Sequence, residues 1–264
     1  MAFTRYLKYV RRFRIDLTKA ICPITRKALK QMRFEQLKNS VNRSERYRYV
    51  YINNPKTGCS TLKTALVELE LGDAKHSIDL SDPRSIHGEP SPLRQHPPIW
   101  PSPTLSRLVQ QGYTFVSFTR NPYTRLVSCY LDKIANNVLD WPLIFHDLPS
   151  QRQPESFAEF VHQIVPQADL EMNPHWRPQV ANLLFGQIPY TFIGRFEAYA
   201  EDFVRAFAAI GVIGEAVPKL RHLNKSHSQG VDLSEFYDEE LHTLVYQRYR
   251  ADFEAFGYAY ALPE

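Results

Sequence analysis

Pro55-Lys56-Thr57-Gly58-Cys59-Ser60-Thr61 packs one cation, one glycine and three hydroxyl side chains into a short stretch. A β-branched and aromatic run, Tyr49-Val50-Tyr51-Ile52, precedes it, and a helical pattern follows. This order predicts a strand, a phosphate loop and a helix N-terminus. Backbone N–H groups that the helix does not use converge there on an anion, and the helix dipole adds partial positive charge. Lys56 puts a full charge in the same place. An ATP-type loop, G-x-x-x-x-G-K-[ST], sets its lysine after the second glycine. Here Lys56 precedes the single Gly58 and follows Pro55, so the loop suits a phosphate ligand of another kind.

A second segment repeats the architecture. Tyr113-Thr114-Phe115-Val116-Ser117-Phe118-Thr119 reads as a strand, and Arg120-Asn121-Pro122 leads into a helix carrying Arg125 and Ser128. Pro122 suits a first helical turn, where its missing N–H costs nothing. Arg120 then stands at the strand's C-terminal end, where open α/β sheets bind ligands. Arg125 and Ser128, three apart, share a helical face, and a guanidinium beside a hydroxyl suits a second phosphate. Two anion sites on adjacent strands imply a ligand with phosphates at two ends.

On these residues the chain resembles the sulfotransferases that use 3′-phosphoadenosine-5′-phosphosulfate. Pro55 to Thr61 is similar to their 5′-phosphosulfate loop, and Arg120-Asn121-Pro122 through Arg125, Ser128 and Tyr130 to their 3′-phosphate motif. The likeness is strongest to Golgi carbohydrate sulfotransferases that modify chondroitin, dermatan and related glycans. It continues through Asn173-Pro174-His175-Trp176-Arg177-Pro178-Gln179, Phe192-Ile193-Gly194-Arg195-Phe196-Glu197, His222-Leu223-Asn224-Lys225-Ser226 and the stretch from Tyr249 to Tyr258. The resemblance implies a donor cosubstrate held by Lys56, Thr57, Gly58, Cys59, Ser60, Thr61, Arg120, Ser128 and Ser226, and a carbohydrate or polysaccharide acceptor. It also implies an acceptor-side histidine about where His87 falls.

Composition agrees with one domain of this kind. With 264 residues, 44% of them hydrophobic, the chain can bury a full core. A formal charge of +4 fits an anionic nucleotide and an acidic glycan, while nucleic acid would require a denser basic stripe. Three cysteines, Cys22, Cys59 and Cys129, show no metal spacing and no disulfide framework, which favours a reducing compartment. No metal motif is present. The Golgi members carry an N-terminal membrane anchor, whereas no run of 18 apolar residues occurs here, so the expectation is a cytoplasmic protein.

The expected fold class is α/β, a single domain with a P-loop-like parallel sheet flanked by helices on both faces. Residues 1–46 are expected to form a basic helical extension and 47–264 the sulfotransferase domain. In the extension, Arg5, Lys8, Arg11, Arg12 and Arg14 alternate with Phe3, Tyr6, Tyr9 and Phe13. Residues 1–40 either pack those aromatics on the domain, the preferred reading, or rest on an anionic membrane surface. Beyond the loop, a helix is expected from Leu62 to Gly72, a short one from Thr104 to Gln111, and one from Pro122 to about Asn136. Glu155–Ile164 should be helical, Tyr190–Gly194 a buried strand, Ala198–Ile210 an amphipathic helix, and a long helix should begin near Ser234. Residues 72 to 104 carry seven prolines and read as a long functional loop.

The expected chemistry is transfer of a neutral SO₃ unit to a hydroxyl, with Lys56 and the loop N–H groups stabilising charge on the leaving phosphate. A base must take the hydroxyl proton. Of nine histidines, His87 in the proline-rich loop is the first choice, then His96, then His175. Plainer roles compete at each position. Lys56 could be a solvated turn lysine, Arg120 a strand cap, Arg125 a loop brace, and Trp176-Arg177 a structural corner rather than a sugar platform. The alternative functions are a phosphate-loop small-molecule kinase and a non-catalytic nucleotide- or glycan-binding relic.

Overall fold

The computed structural model describes residues 2–72, 78–80, 82, 85–86, 88, 91–94, 104–136, 142–221 and 230–263. Its centre is a four-stranded sheet in the order β1 (Val41–Ser44), β2 (Tyr49–Ile52), β3 (Thr114–Thr119) and β4 (Tyr190–Arg195). β2 and β3 run parallel with Tyr49 opposite Thr114, and β3 and β4 run parallel with a register shift at Phe115/Val116. The sheet is mixed rather than wholly parallel, because β1 pairs antiparallel with β2, Val41 opposite Ile52. Only residues 45–48 join the two, and a link that short closes a hairpin but cannot make a parallel crossover. β1 reads Val-Asn-Arg-Ser, with no apolar alternation to announce it.

β2 is buried along its whole length and β3 along all but its first residue, so each reads as an apolar run rather than an alternation. On one face Tyr49, Tyr51, Val116 and Phe118 pack against α4 (Cys59–Leu71) and α8 (Tyr199–Ala209). On the other, Val50, Ile52 and Phe115 meet α2 (Pro23–Ala28), α3 (Phe34–Ser40) and α5 (Leu105–Gln110). A further core joins α6 (Pro122–Tyr130), α7 (Phe157–Ile164) and α9 (Glu239–Phe256) around Tyr123, Phe160, Trp176 and Phe253. Each such buried side chain contributes about 1.5–3 kcal/mol relative to exposure.

Several boundaries move for local reasons. β4 is an edge strand, and within it only Gly194 is buried, so it is not the buried strand expected. α9 starts after Ser234, because the Asp238 side chain accepts the N–H of Leu241 and caps the helix there. After α6 the backbone widens into a π-helical turn, Leu131–Ala135, closed by the N–H of Asn136 on the carbonyl of Leu131. Ala28, Met32, Leu37 and Val41 are core residues, so the segment expected as an extension is partly woven into the sheet domain. α1 (Ala2–Ile21) instead leaves Tyr6, Tyr9 and Phe13 exposed, and the preferred expectation that these aromatics pack on the domain does not hold for them.

Candidate active site

β2 ends at Ile52 and α4 begins at Cys59, and the loop between them turns through two left-handed residues, Lys56 (φ 70°) and Gly58 (φ 77°). Gly58 is required twice. Its conformation strains any residue with a Cβ, and a Cβ there would lie 2.4 Å from the Tyr199 ring. Tyr199 also donates its hydroxyl to the Gly58 carbonyl at 2.7 Å, fixing the loop from above. The N-cap of α4, Gly58, has no side chain with which to cap it, and the first turn holds no acidic residue. The N–H groups of that turn, Ser60 and Thr61 included, are thus disposed towards an anion. Thr57 is used differently: its buried hydroxyl donates to the Asn54 carbonyl at 2.7 Å, so it shapes the loop.

The Lys56 ammonium donates to Asp132 Oδ2 at 2.8 Å, and Lys133 approaches the same oxygen at 3.2 Å. Both partners come from the π-helical turn. Burial pushes the Asp132 carboxyl up, but the two lysines outweigh it and hold the group below its ordinary value.

Arg120, at the C-terminal end of β3, is 5% exposed. Its Nε donates to the Thr124 hydroxyl at 3.0 Å, its Nη1 to the Lys56 carbonyl at 3.3 Å, and its guanidinium lies 4.2 Å from the centre of the Phe196 ring. Burial lowers the guanidinium to about 10 against the pull of Glu197, which leaves it cationic at neutral pH. Ser128 is buried on α6. The expected cradle of Arg125 with Ser128 is not what forms. Arg125 points into the floor, donating to the carbonyls of Pro55 at 3.0 Å, Arg177 at 2.9 Å and Pro174 at 2.9 Å. It is the brace rather than the phosphate ligand. Trp176 and Arg177 are fully buried, so they form the structural corner and not a sugar platform.

A family model described as Sulfotransferase family matches residues 39–259. This chain belongs to the sulfotransferase family. Human carbohydrate sulfotransferase 9 is 26% identical over 235 residues, covering 81% of this chain and 52% of that protein. Mouse carbohydrate sulfotransferase 8 is 27% identical over 237 residues, covering 81% and 55%, and Xenopus laevis carbohydrate sulfotransferase 12 is 24% identical over 253 residues, covering 81% and 59%. The chain therefore spans about half the length of the curated relatives it matches. No solved structure matches. The kinase alternative is not favoured by these relatives. Among the described residues no helix is long and apolar enough to cross a membrane; the expected cytoplasmic location rests on the sequence alone.

For a sulfotransferase-family chain the resembling segments downstream acquire physical jobs. Gln179 receives the N–H of Arg120 at 3.0 Å, returns an N–H to the Arg120 carbonyl at 2.8 Å, and accepts from Asn54 at 2.9 Å. One amide thus ties the loop before α4 to the loop before α6. Asp252 supports it, accepting the N–H groups of Gln179 and Val180 at 2.8 Å each. Burial pushes that carboxyl up to about 6, and the two N–H bonds restrain the rise. Glu197 accepts the Asn121 N–H at 2.7 Å and the Tyr258 hydroxyl at 3.2 Å, anchoring the entry to α6. Asn54, Asp132 and Tyr199 were not singled out from the sequence. Asn54, standing before the loop's Pro-Lys, was the one with a readable signal. His87, His96 and Ser226, with His222, Asn224 and Lys225, lie outside the described residues.

Proposed function

We propose that this chain transfers a sulfuryl group from 3′-phosphoadenosine-5′-phosphosulfate to a hydroxyl of a carbohydrate acceptor. The observation that carries the reading is the union of two anion-facing loops at the C-terminal ends of adjacent parallel strands, with Arg120 donating directly to the Lys56 carbonyl. In this reading Lys56 and the N–H groups of Gly58, Cys59, Ser60 and Thr61 hold the 5′-phosphosulfate. Arg120, Ser128 and Ser226 hold the 3′-phosphate. The donor supplies an activated sulfuryl group. Lys56 leaves Asp132 for the oxygen that bridges sulfur and phosphorus, where negative charge grows as that bond breaks. A preorganised donor at such a position is worth about 10²- to 10³-fold in rate.

The test is incubation with sulfur-labelled donor and a panel of neutral and acidic glycans. Label on a glycan, matched by release of the 3′,5′-bisphosphate, is the expected result. Bisphosphate-binding protein that labels none of the panel would support the relic instead.

Membrane-surface contact belongs to the same proposal. The exposed Tyr6, Tyr9 and Phe13 of α1 sit beside exposed Lys8 and Arg12, a pairing suited to an anionic headgroup layer. Truncation at residue 40 would remove core residues, so Tyr6→Ser, Tyr9→Ser and Phe13→Ser together are the cleaner probe. Loss of co-sedimentation with phosphatidylserine vesicles is expected; unchanged binding would oppose the contact.

A further inference from the structure

The turn from Asn173 to Arg177 carries a histidine that the floor of the site places beside the phosphate loop. Arg125 is the link. Its guanidinium holds the carbonyl of Pro55, the residue before Lys56, and the carbonyl of Pro174, the residue before His175. Asn182 donates to the same Pro174 carbonyl at 2.8 Å and to Asn54 at 3.2 Å, tying the turn to the loop a second time. One buried cation thus fixes both backbones, and His175 is half-buried.

The hydrogen bonds also assign the tautomer. Asn173 Nδ2 donates to Asp147 Oδ2 at 2.7 Å, so Asn173 presents its oxygen to His175. That oxygen accepts the His175 backbone N–H at 3.0 Å and lies 2.7 Å from ring Nδ1. Nδ1 must therefore carry the hydrogen, and Nε2 keeps its lone pair. A histidine oriented through one ring nitrogen keeps the other as a proton acceptor.

We infer that His175, rather than His87, is the base that removes the acceptor's hydroxyl proton through Nε2. The inference rests on the sulfuryl-transfer reading above. In the step, the acceptor oxygen forms a bond to sulfur and its proton passes to Nε2. The bond from sulfur to the bridging oxygen breaks, its electron pair stays on the phosphate, and the imidazolium later gives the proton to water. The surroundings keep the ring neutral beforehand. Burial is the largest influence and, with Lys133, Lys56 and Arg125, overrides Asp132 and lowers the ring to about 3. An anionic donor seated against Lys56 offsets these cations, so basicity rises when the site is loaded.

The decisive variant is His175→Asn. An asparagine amide can replace Nδ1–H in the bond to Asn173, but offers nothing in place of Nε2, so a purely structural histidine would be rescued. The expected result is transfer reduced by about 10²- to 10⁴-fold, with affinity for 3′,5′-bisphosphoadenosine and the melting temperature nearly unchanged. His175→Asn with near-normal transfer, or His87→Ala inactive beside it, overturns the assignment. A second measurement needs no acceptor: nitrogen-15 NMR of the ring should show the Nδ1–H tautomer, with its titration moved upward by bisphosphate. An Nε2–H tautomer overturns the inference even if transfer is absent. Failure of the unmutated protein to bind bisphosphate would instead sink the sulfuryl-transfer reading itself.

Discussion

The side of the site proposed to face the donor, built from Lys56, Arg120 and the first turn of α4, differs from the floor beneath it in what its polar groups hold. Lys56 is paired with a carboxylate on a neighbouring turn, and the N-cap of α4 is a glycine with no side chain to offer. In the floor, Arg125 is committed to three backbone carbonyls, and the Arg177 guanidinium to the carbonyls of Asp169 and Met172 and to the side chains of Gln36 and Asn182. Ligand exchange can displace a partly solvated carboxylate from an ammonium. Nothing in solution competes for a carbonyl inside the fold. A buried arginine near a phosphate loop is thus sorted by its partners, not by its charge.

Arg125→Ala is the harshest test of that division. It orphans the carbonyls of Pro55 and Arg177, while that of Pro174 keeps its bond from Asn182; each buried unsatisfied acceptor costs about 1–3 kcal/mol, so stability should fall by about 2 kcal/mol or more. Bisphosphate affinity should fall with it, and Arg125→Lys should not restore either, since one ammonium cannot span the three acceptors. Urea unfolding with calorimetry measures both; an unchanged unfolding midpoint would erase the difference between face and floor.

Lys56→Ala should behave oppositely. Transfer should drop about 10²- to 10³-fold while the melting temperature barely moves, because a partly exposed ion pair contributes under about 1 kcal/mol. Arg120→Ala lies between the two. Loss of one charge-assisted bond of about 1.5–3 kcal/mol should cut the preference for 3′,5′-bisphosphoadenosine over 5′-AMP by about ten- to a hundredfold. Equal affinity for the two nucleotides in the unmutated protein would remove Arg120 from the face altogether.

Asp132→Asn carries the smallest effect. Lys56 loses an anionic competitor, so bisphosphate affinity should rise by less than about tenfold and stability should change by under about 1 kcal/mol. The Asp132 carboxyl is held below 3.8, its ordinary value, so whatever stability it contributes is complete above that pH and disappears as pH falls through the lowered value. Unfolding curves of the two proteins should therefore share their shape at neutral pH and separate only in acid.

β2, β3, β4 and the phosphate loop were legible from their residue runs, and the helices α4, α5 and α6 because each carries its own punctuation: Gly58 and Gly72 around α4, Thr104 before α5, Pro122 at the start of α6. β1 was not, since Val41-Asn42-Arg43-Ser44 draws its strand character from pairing with β2. Lys56 and Arg120 could be read from position along the chain. The partners of Arg125 and the tie made by Gln179 could not, because they span 49 to 125 positions of sequence and exist only once the sheet has brought its strand ends together. Gly194 shows the same limit from the other side: a Cβ there would lie 2.5 Å from the Phe118 ring, a packing constraint that no local pattern announces.

The wide π turn after α6 is a place where the chain has taken in one residue more than an α-ladder accommodates. Asp132 reaches Lys56 from it, while Ile134, two positions on, is sealed in the core. Removing one residue would draw the ladder back to ordinary pitch and swing everything on its far side by about 100° about the axis. Chain length between Leu131 and Ala135 is therefore under a constraint as strict as the identity of a charged side chain. A column-by-column comparison of sequences would pass a one-residue gap here as trivial, and the fold would not.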